Sequence, residues 1–287
     1  MSPRVLLASC AELPDSDGDD TPLPGVLAEV GVKAEWVPWD AISEPADLVV
    51  LRATWDYPHR RDEFLAWCDS VPQLANRADL VRWNTDKAYM ADLAETGLRV
   101  VPTELVPPGV ELAAYETEIA LKPSVGAGSQ GAGRFLPAER ERAMAHVAAL
   151  HAQGRTVVLQ PYQPAVDEEG ETALVFFGGR YSHAFVKGPM LPRGTVEMSA
   201  LFVEERLRPT VPDGARRTLA EDALDAACEL RGVERSELLY ARVDVLTGTD
   251  GAPLLLELAE PSLGFRQADP GAPLRFASAV RAELARR

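Results

Sequence analysis

Lys122 closes the apolar run Ile119-Ala120-Leu121 and is followed by Ser124-Val125-Gly126-Ala127-Gly128-Ser129-Gln130-Gly131-Ala132-Gly133. Four glycines in eight residues leave the backbone flexible and its N–H groups uncovered, so the loop can close over phosphate oxygens. Ser124 and Ser129 add hydroxyl donors, and Lys122 adds a cation. This is neither the Walker pattern nor the spaced dinucleotide fingerprint. The same segment would also serve as a mobile surface loop.

A second set is Arg242, Asp244 and Glu257. They lie in the apolar runs Tyr240–Leu246 and Leu254–Leu258, which a turn at Gly248–Gly251 folds into a hairpin with Asp244 and Glu257 side by side. A carboxylate in such a run is costly unless something satisfies it. Two oxygen ligands facing one point suit Mg²⁺, which also takes substrate phosphates as ligands. Substituting either carboxylate should then stop turnover and leave the fold intact. Arg242 shares a strand face with Asp244 and could neutralise a transferring phosphoryl group. A structural Arg–carboxylate pair is the other use of the same residues.

Two further groups remain. Lys87 falls in the first turn of a helix predicted from Asn84 or Thr85 to about Glu95, with Gly97 as its stop. A cation there opposes the helix dipole unless an anion is bound, and otherwise it is a solvated lysine. Arg52, Thr54, Trp55 and Asp56 follow a predicted sheet strand. They suit an amino-acid-like substrate with Arg52 on its carboxylate, or equally a capped loop with Trp55 in the core. The histidines His59, His146, His151 and His183 are scattered and form no ligand pattern.

The elements that must position these residues follow from hydrophobic pattern. Val5–Ala8 and Asp47–Leu51 read as buried strands, with a helix over Leu23–Val30 between them, which predicts a parallel α/β sheet. Arg61–Val71 reads as a helix. Pro102, Pro107, Pro108 and Gly109 mark a boundary. Beyond it come a strand (Ile119–Pro123), the Gly-rich loop, a helix (Pro137–Gln153) and a strand (Thr156–Gln160). The last third predicts a hairpin of Thr172–Phe177 and Tyr181–Lys187 about Gly178-Gly179, and a helix over Arg216–Leu230. The Leu238–Leu246/Pro253–Ala259 hairpin and a helix from Ala272 follow.

Across 287 residues, 46% are hydrophobic and 25% charged, the balance of a globular chain with room for two or three domains. A net charge of −15 argues against nucleic acid and anionic membrane as partners, since both reward clustered Lys and Arg. Three cysteines without a C-x-x-C pair, and no apolar run long enough to span a bilayer, fit a cytoplasmic protein.

The order of these sets resembles the ATP-grasp superfamily, from about Asn76 to Pro261. Arg82-Trp83-Asn84-Thr85-Asp86-Lys87 resembles the stretch of bacterial glutathione synthetase that holds the first ATP lysine. Leu121-Lys122-Pro123 with its Gly-rich loop resembles the second lysine and phosphate lid, which implies ATP contacts at Ser124, Gly126, Ser129, Gln130 and Gly131. Leu159-Gln160-Pro161-Tyr162 is similar to the hinge that meets adenine, and Glu171 falls where a family carboxylate holds the ribose.

Ala241-Arg242-Val243-Asp244 and Leu256-Glu257 resemble the metal hairpin of D-alanine–D-alanine ligase. The family usually has Asn two residues after the Glu; here that position is Ala259, and Glu260 is the nearest oxygen donor. Leu51–Tyr57, Arg82–Lys87 and Glu260-Pro261-Ser262-Leu263 resemble the actinobacterial group that includes the O-ureido-D-serine cyclo-ligase of D-cycloserine biosynthesis.

The resemblance implies an α/β ATP-grasp fold with an N-terminal parallel-sheet domain (1–82, substrate side), a central lid subdomain (83–160) and a C-terminal subdomain with the metal hairpin (161–287). It implies an ATP- and Mg²⁺-dependent carboxylate–amine ligase of specialised metabolism. Arg242 and Lys187 would be catalytic, Asp244, Glu257 and Glu260 on metal, and Arg52, Thr54, Trp55 and Asp56 on a small amino-acid-like carboxylate. Pro189–Arg193 would help cover the site. A small-molecule kinase and a nucleotide-binding regulator without turnover are the alternatives, and a homo-oligomer is left open.

Overall fold

The structure is a computed structural model and describes residues 2–18, 20–191, 193–194, 196, 207–259 and 269–287. Three sheets organise it. The first is fully parallel, in the order β2-β1-β3-β4, from β1 (Arg4–Ser9), β2 (Lys33–Pro38), β3 (Leu48–Ala53) and β4 (Leu74–Ala75). Helices α1 (Leu23–Glu29) and α2 (Arg61–Ser70) accompany it. The predicted β1, α1, β3 and α2 are present, whereas β2 and β4 were not anticipated. β2 is an edge strand whose residues are mostly half-buried, so Lys33-Ala34-Glu35-Trp36-Val37-Pro38 carries no continuous apolar run to announce it.

The second sheet is antiparallel, in the order β5-β8-β6-β7, built from β5 (Glu104–Val106), β6 (Ile119–Pro123), β7 (Gly133–Phe135) and β8 (Val157–Pro161). Val106, Leu121, Phe135, Val147 and Leu150 give it a core of its own, with the last two supplied by a helix over Arg140–His151.

The third sheet is also antiparallel, in the order β11-β10-β9-β12-β13. Its strands are β9 (Glu171–Phe177), β10 (Arg180–Lys187), β11 (Leu207–Thr210), β12 (Tyr240–Thr247) and β13 (Pro253–Ala259). Gly178 and Gly179, with φ of 56° and 71°, make the tight turn that their sequence predicts. Leu174, Phe176, Val243 and Val245 pack on Leu219 and Ala223 of a long helix, Gly214–Arg231. On the other face Ala173, Val175 and Tyr240 share one core with Val5 and Leu7 of β1 and with Phe276 and Val280 of the C-terminal helix, Ala272–Arg286. That shared core ties the parallel sheet to the third sheet.

The helix predicted from Asn84 or Thr85 begins only at Tyr89, as α4 (Tyr89–Glu95); an unpredicted helix, α3 (Ala78–Asn84), precedes it, and Lys87 lies in the turn between the two. Asp86 accepts a bond from the Ala88 N–H, and the Lys87 N–H donates to the Ser124 carbonyl, so both leave the helical ladder. Tyr89, Met90 and Leu93 pack in the core of the third sheet. A boundary at residue 82/83 would instead group them with the lid. Among the described residues no helix is long and apolar enough to cross a membrane.

Candidate functional site

A cleft runs between the second and third sheets, with the parallel sheet at one end. Register places its charged groups. On β9 and β10, Glu171 stands opposite Lys187, and their side chains pair at 2.8 Å. Gly170, at φ 75°, must be glycine: a Cβ there would collide with the Lys187 carbonyl. On β12 and β13, Asp244 stands opposite Glu257, as the hairpin pattern predicts. Lys187 Nζ also reaches Asp244 Oδ2 at 2.6 Å.

Lys122 from β6 and Lys87 from the α3–α4 turn each bring an ammonium to 3.9 Å from Glu257. Four cations (Lys87, Lys122, Lys187, Arg242) thus gather with three carboxylates (Glu171, Asp244, Glu257), so the site is locally positive although the chain carries −15. Burial alone would raise the Glu257 carboxyl, but Lys87, Lys122, Lys187 and Arg242 together hold it well below the usual carboxylate range. Burial pushes the Lys122 ammonium down; Glu257 opposes this and Lys87 reinforces it. Glu171 is pushed up by burial, against the pull of Lys187.

At the other end the cleft is apolar. Val101, Ala120, Tyr162, Val166 and Leu246 form one buried cluster, with Leu256 packed against it. Gln160, Pro161 and Tyr162 border this slot. Tyr162 is fixed from behind, its hydroxyl donating to Asp167 at 2.8 Å and its ring lying under the Arg134 guanidinium at 3.5 Å. The slot-lining aliphatic residues and Arg134 were missed from sequence, because an apolar strand residue looks the same whether it faces a core or a ligand. The polarity of the cleft suits a ligand with a flat apolar end and a polyanionic end.

The Gly-rich loop lies against the cationic end. Lys87 Nζ donates to the Gly126 carbonyl at 2.7 Å and Arg155 to the Val125 carbonyl at 2.6 Å. Gly126, Ser129 and Gln130 line the cleft. Ser124 and Gly131 act through backbone: Ser124 N–H donates to the Thr156 carbonyl, and the Gly131 carbonyl contacts the His146 ring.

Of the substrate-side residues, only Trp55 lines the cleft, its indole N–H donating to Asp17 at 3.2 Å. Arg52 does not reach it. Its guanidinium is 0% exposed, paired with Asp20, and packed over the Tyr240 and Phe276 rings. Asp56 accepts from the Trp39 indole at 2.9 Å and from Arg60 at 3.3 Å, and Thr54 is buried. Arg52, Thr54 and Asp56 are thus buried away from the cleft, Arg52 against the third sheet and the C-terminal helix.

The hairpin also corrects an expectation. Asp244 is 0% exposed, and both its oxygens accept from Arg242, each at 3.0 Å. Asp244 is therefore part of the buried charge network, and its loss is expected to disturb the fold. Among the described residues no three His, Cys, Asp or Glu cluster as a metal cage. Mg²⁺ takes one or two carboxylates plus substrate phosphates: Glu257 lines the cleft and fits that requirement, whereas Asp244 is buried behind it with both oxygens taken by Arg242 and Lys187 and would have to release one of them to reach a metal. Glu260, and with it Glu260–Leu263, lies outside the described residues.

Residues 5–77 match the family described as the N-terminal domain of the D-cycloserine synthetase DcsG. The chain is 39% identical over 299 residues to the cycloserine biosynthesis protein DcsG of Streptomyces lavendulae, covering 98% of each. The crystal structure of D-cycloserine synthetase DcsG superposes with a TM-score of 0.88 at 36% identity, over 98% of this chain and 99% of that one. The ATP-grasp ligase PsnB, in complex with a precursor, Mg and ADP, superposes at 0.61 and 14% identity, over 99% of both chains, which speaks to fold alone. A shared fold along nearly its whole length, with more than a third of its residues identical, makes this chain a member of the D-cycloserine synthetase DcsG family of ATP-grasp proteins.

Proposed function

We propose that this protein is an ATP-dependent carboxylate–amine ligase of antibiotic biosynthesis, that its substrate is amino-acid-like, and that the nitrogen nucleophile sits on the same molecule as the carboxylate. The observation that carries this reading is the convergence of Lys87, Lys122, Lys187 and Arg242, from four separate elements, on Glu257 and Asp244 beside an apolar slot. Membership of a family named for cycloserine biosynthesis supports the metabolic setting.

In this reading Gln160, Pro161 and Tyr162 border adenine and Glu171 faces the ribose. Lys87, Lys122 and the lid residues Gly126, Ser129 and Gln130 hold phosphates. Asp244 and Glu257 would hold Mg²⁺, which neutralises phosphate charge when bound. The substrate carboxylate, beside Trp55, attacks the γ-phosphorus, and the bond to the β-phosphate breaks. Arg242 and Lys187 stabilise the charge on the transferring group; the catalysis is mostly positioning and electrostatics. The nitrogen then attacks the acyl carbon and phosphate leaves. A closed lid keeps water from the acyl phosphate.

Two measurements test this. With a suitable amino-acid-like carboxylate and no added amine, ³¹P spectra should show ADP and phosphate. AMP and pyrophosphate would refute the acyl-phosphate route, and ADP formed only after adding an amine would refute ring closure. Lys122→Met should weaken binding of a non-hydrolysable ATP analogue by about 10- to 100-fold, the worth of one charge-assisted hydrogen bond. Unchanged affinity by calorimetry would remove Lys122 from the nucleotide.

A further inference from the structure

The carboxylate of Glu257 sits on β13, an outermost strand of its sheet, one residue before Leu258. An edge strand has peptide groups that no neighbouring strand satisfies, and without partners it is free to shift. Here side chains satisfy them. The Tyr89 hydroxyl donates to the Leu258 carbonyl at 3.0 Å and accepts from the Leu258 N–H at 2.8 Å. The Asn84 amide donates to the same carbonyl at 2.7 Å. Tyr89 is 2% exposed and its ring packs on Trp83 at 5.1 Å, so the hydroxyl is held in place from behind.

Tyr89 follows Lys87 by two residues, and Asn84 precedes it by three. The segment that carries Lys87 is therefore bolted to the strand that carries Glu257, through one peptide unit adjacent to the carboxylate. The next described attachment along this edge is at Leu255, which exchanges backbone bonds with Arg99 and Val101. Between Leu255 and the strand's end at Ala259, the inner side of β13 is held by its ladder to β12 and the outer side by the Leu258 anchor.

From this we infer that Tyr89 and Asn84 are positioning residues: they fix the Glu257 carboxylate relative to the Lys87 ammonium, so that metal and phosphate are met at a set separation. A ligating group must be held to within about 0.5 Å for a productive site. The inference rests on the reading of Glu257 as a ligand of a metal–nucleotide complex. It adds two residues that touch neither metal nor nucleotide.

The test uses the full chain with Mn²⁺ and ADP, following free Mn²⁺ by electron paramagnetic resonance, with metal-free ADP binding measured in parallel. Tyr89→Phe keeps the ring and removes both hydroxyl bonds; Asn84→Ala removes the third. Leu93→Val trims a core residue of the same helix whose side chain has no polar group to bond the Leu258 peptide, and so reports general loosening. Tyr89→Phe should raise the Mn²⁺ concentration for half-occupancy by about tenfold, the lower end of what outer partners of metal ligands contribute. Asn84→Ala should raise it less, and Leu93→Val should leave it unchanged. Metal-free ADP binding should stay within about twofold in all three, and amide exchange at Leu258 should quicken in Tyr89→Phe alone or most. Wild-type Mn²⁺ affinity in Tyr89→Phe, or equal weakening in Leu93→Val, overturns the inference while leaving the nucleotide site standing. Failure of the wild type to bind Mn²⁺ with ADP overturns the site reading, and this inference with it.

Discussion

Glu257→Gln is expected to lower turnover by at least about 10²-fold, the usual cost of removing one preorganised charge contact at a reacting phosphate, and to lower thermal stability as well, though less than Asp244→Asn, because four cations favour the ionised carboxylate in the folded chain. The side chain is 19% exposed and faces Lys87 and Lys122 across 3.9 Å, beyond hydrogen-bond distance, so no tight bond is lost from the resting fold. The substitution also removes one negative charge from a site that must take a polyphosphate. Affinity for metal-free ADP should therefore rise, while affinity for the metal–nucleotide complex falls. Opposite changes in the two titrations would identify Glu257 as a metal ligand. Parallel changes, or turnover near wild type at ordinary Mg²⁺, would rule that role out. Asp244→Asn is a poorer probe. It leaves Arg242 and Lys187 facing a neutral partner in the interior, and breaking a buried pair costs about 3–5 kcal/mol.

Arg52→Ala is expected to destabilise the protein by about 3–5 kcal/mol, because it leaves the Asp20 carboxylate buried without its partner. Asp20 is 1% exposed, so solvent cannot take over. Contacts over the Tyr240 and Phe276 rings, at 4.9 and 5.2 Å, are lost as well. Against a total stability of about 5–15 kcal/mol this is a large fraction, and the melting temperature should drop by about 10 °C. Arg52→Lys should recover part of the loss, since it keeps charge but not the planar fork. A normal melting temperature combined with a raised substrate KM would return Arg52 to the substrate.

Both hairpins of the third sheet are legible in the amino-acid sequence because their signals are local. The continuous apolar run within Thr172–Phe177 and the Gly178-Gly179 turn specify pairing within a few residues. The strand period then brings Asp244 opposite Glu257 without reference to anything else. β2 is not legible in the same way because an edge strand carries a weak local pattern. Nor is the late start of α4 at Tyr89, because the Lys87 N–H bonds to Ser124, far along the chain.

Local pattern and motif order in the sequence determined the kinds of chemistry available: Lys122 before a glycine loop, Arg242 and Asp244 on one strand face, Glu257 across from them, and with these an ATP-grasp arrangement. Only the tertiary structure decided what each charge faces. Arg52 and Lys87 are both cations beside polar loops, and nothing nearby in sequence separates them. Arg52 meets Asp20 and is neutralised in the interior, whereas Lys87 is carried to the cleft and held there near Glu257, 170 positions away. Side-chain periodicity is set by backbone geometry within a strand or helix, but the partner of a buried charge is set by which elements pack together, and that depends on contacts closed across the whole chain.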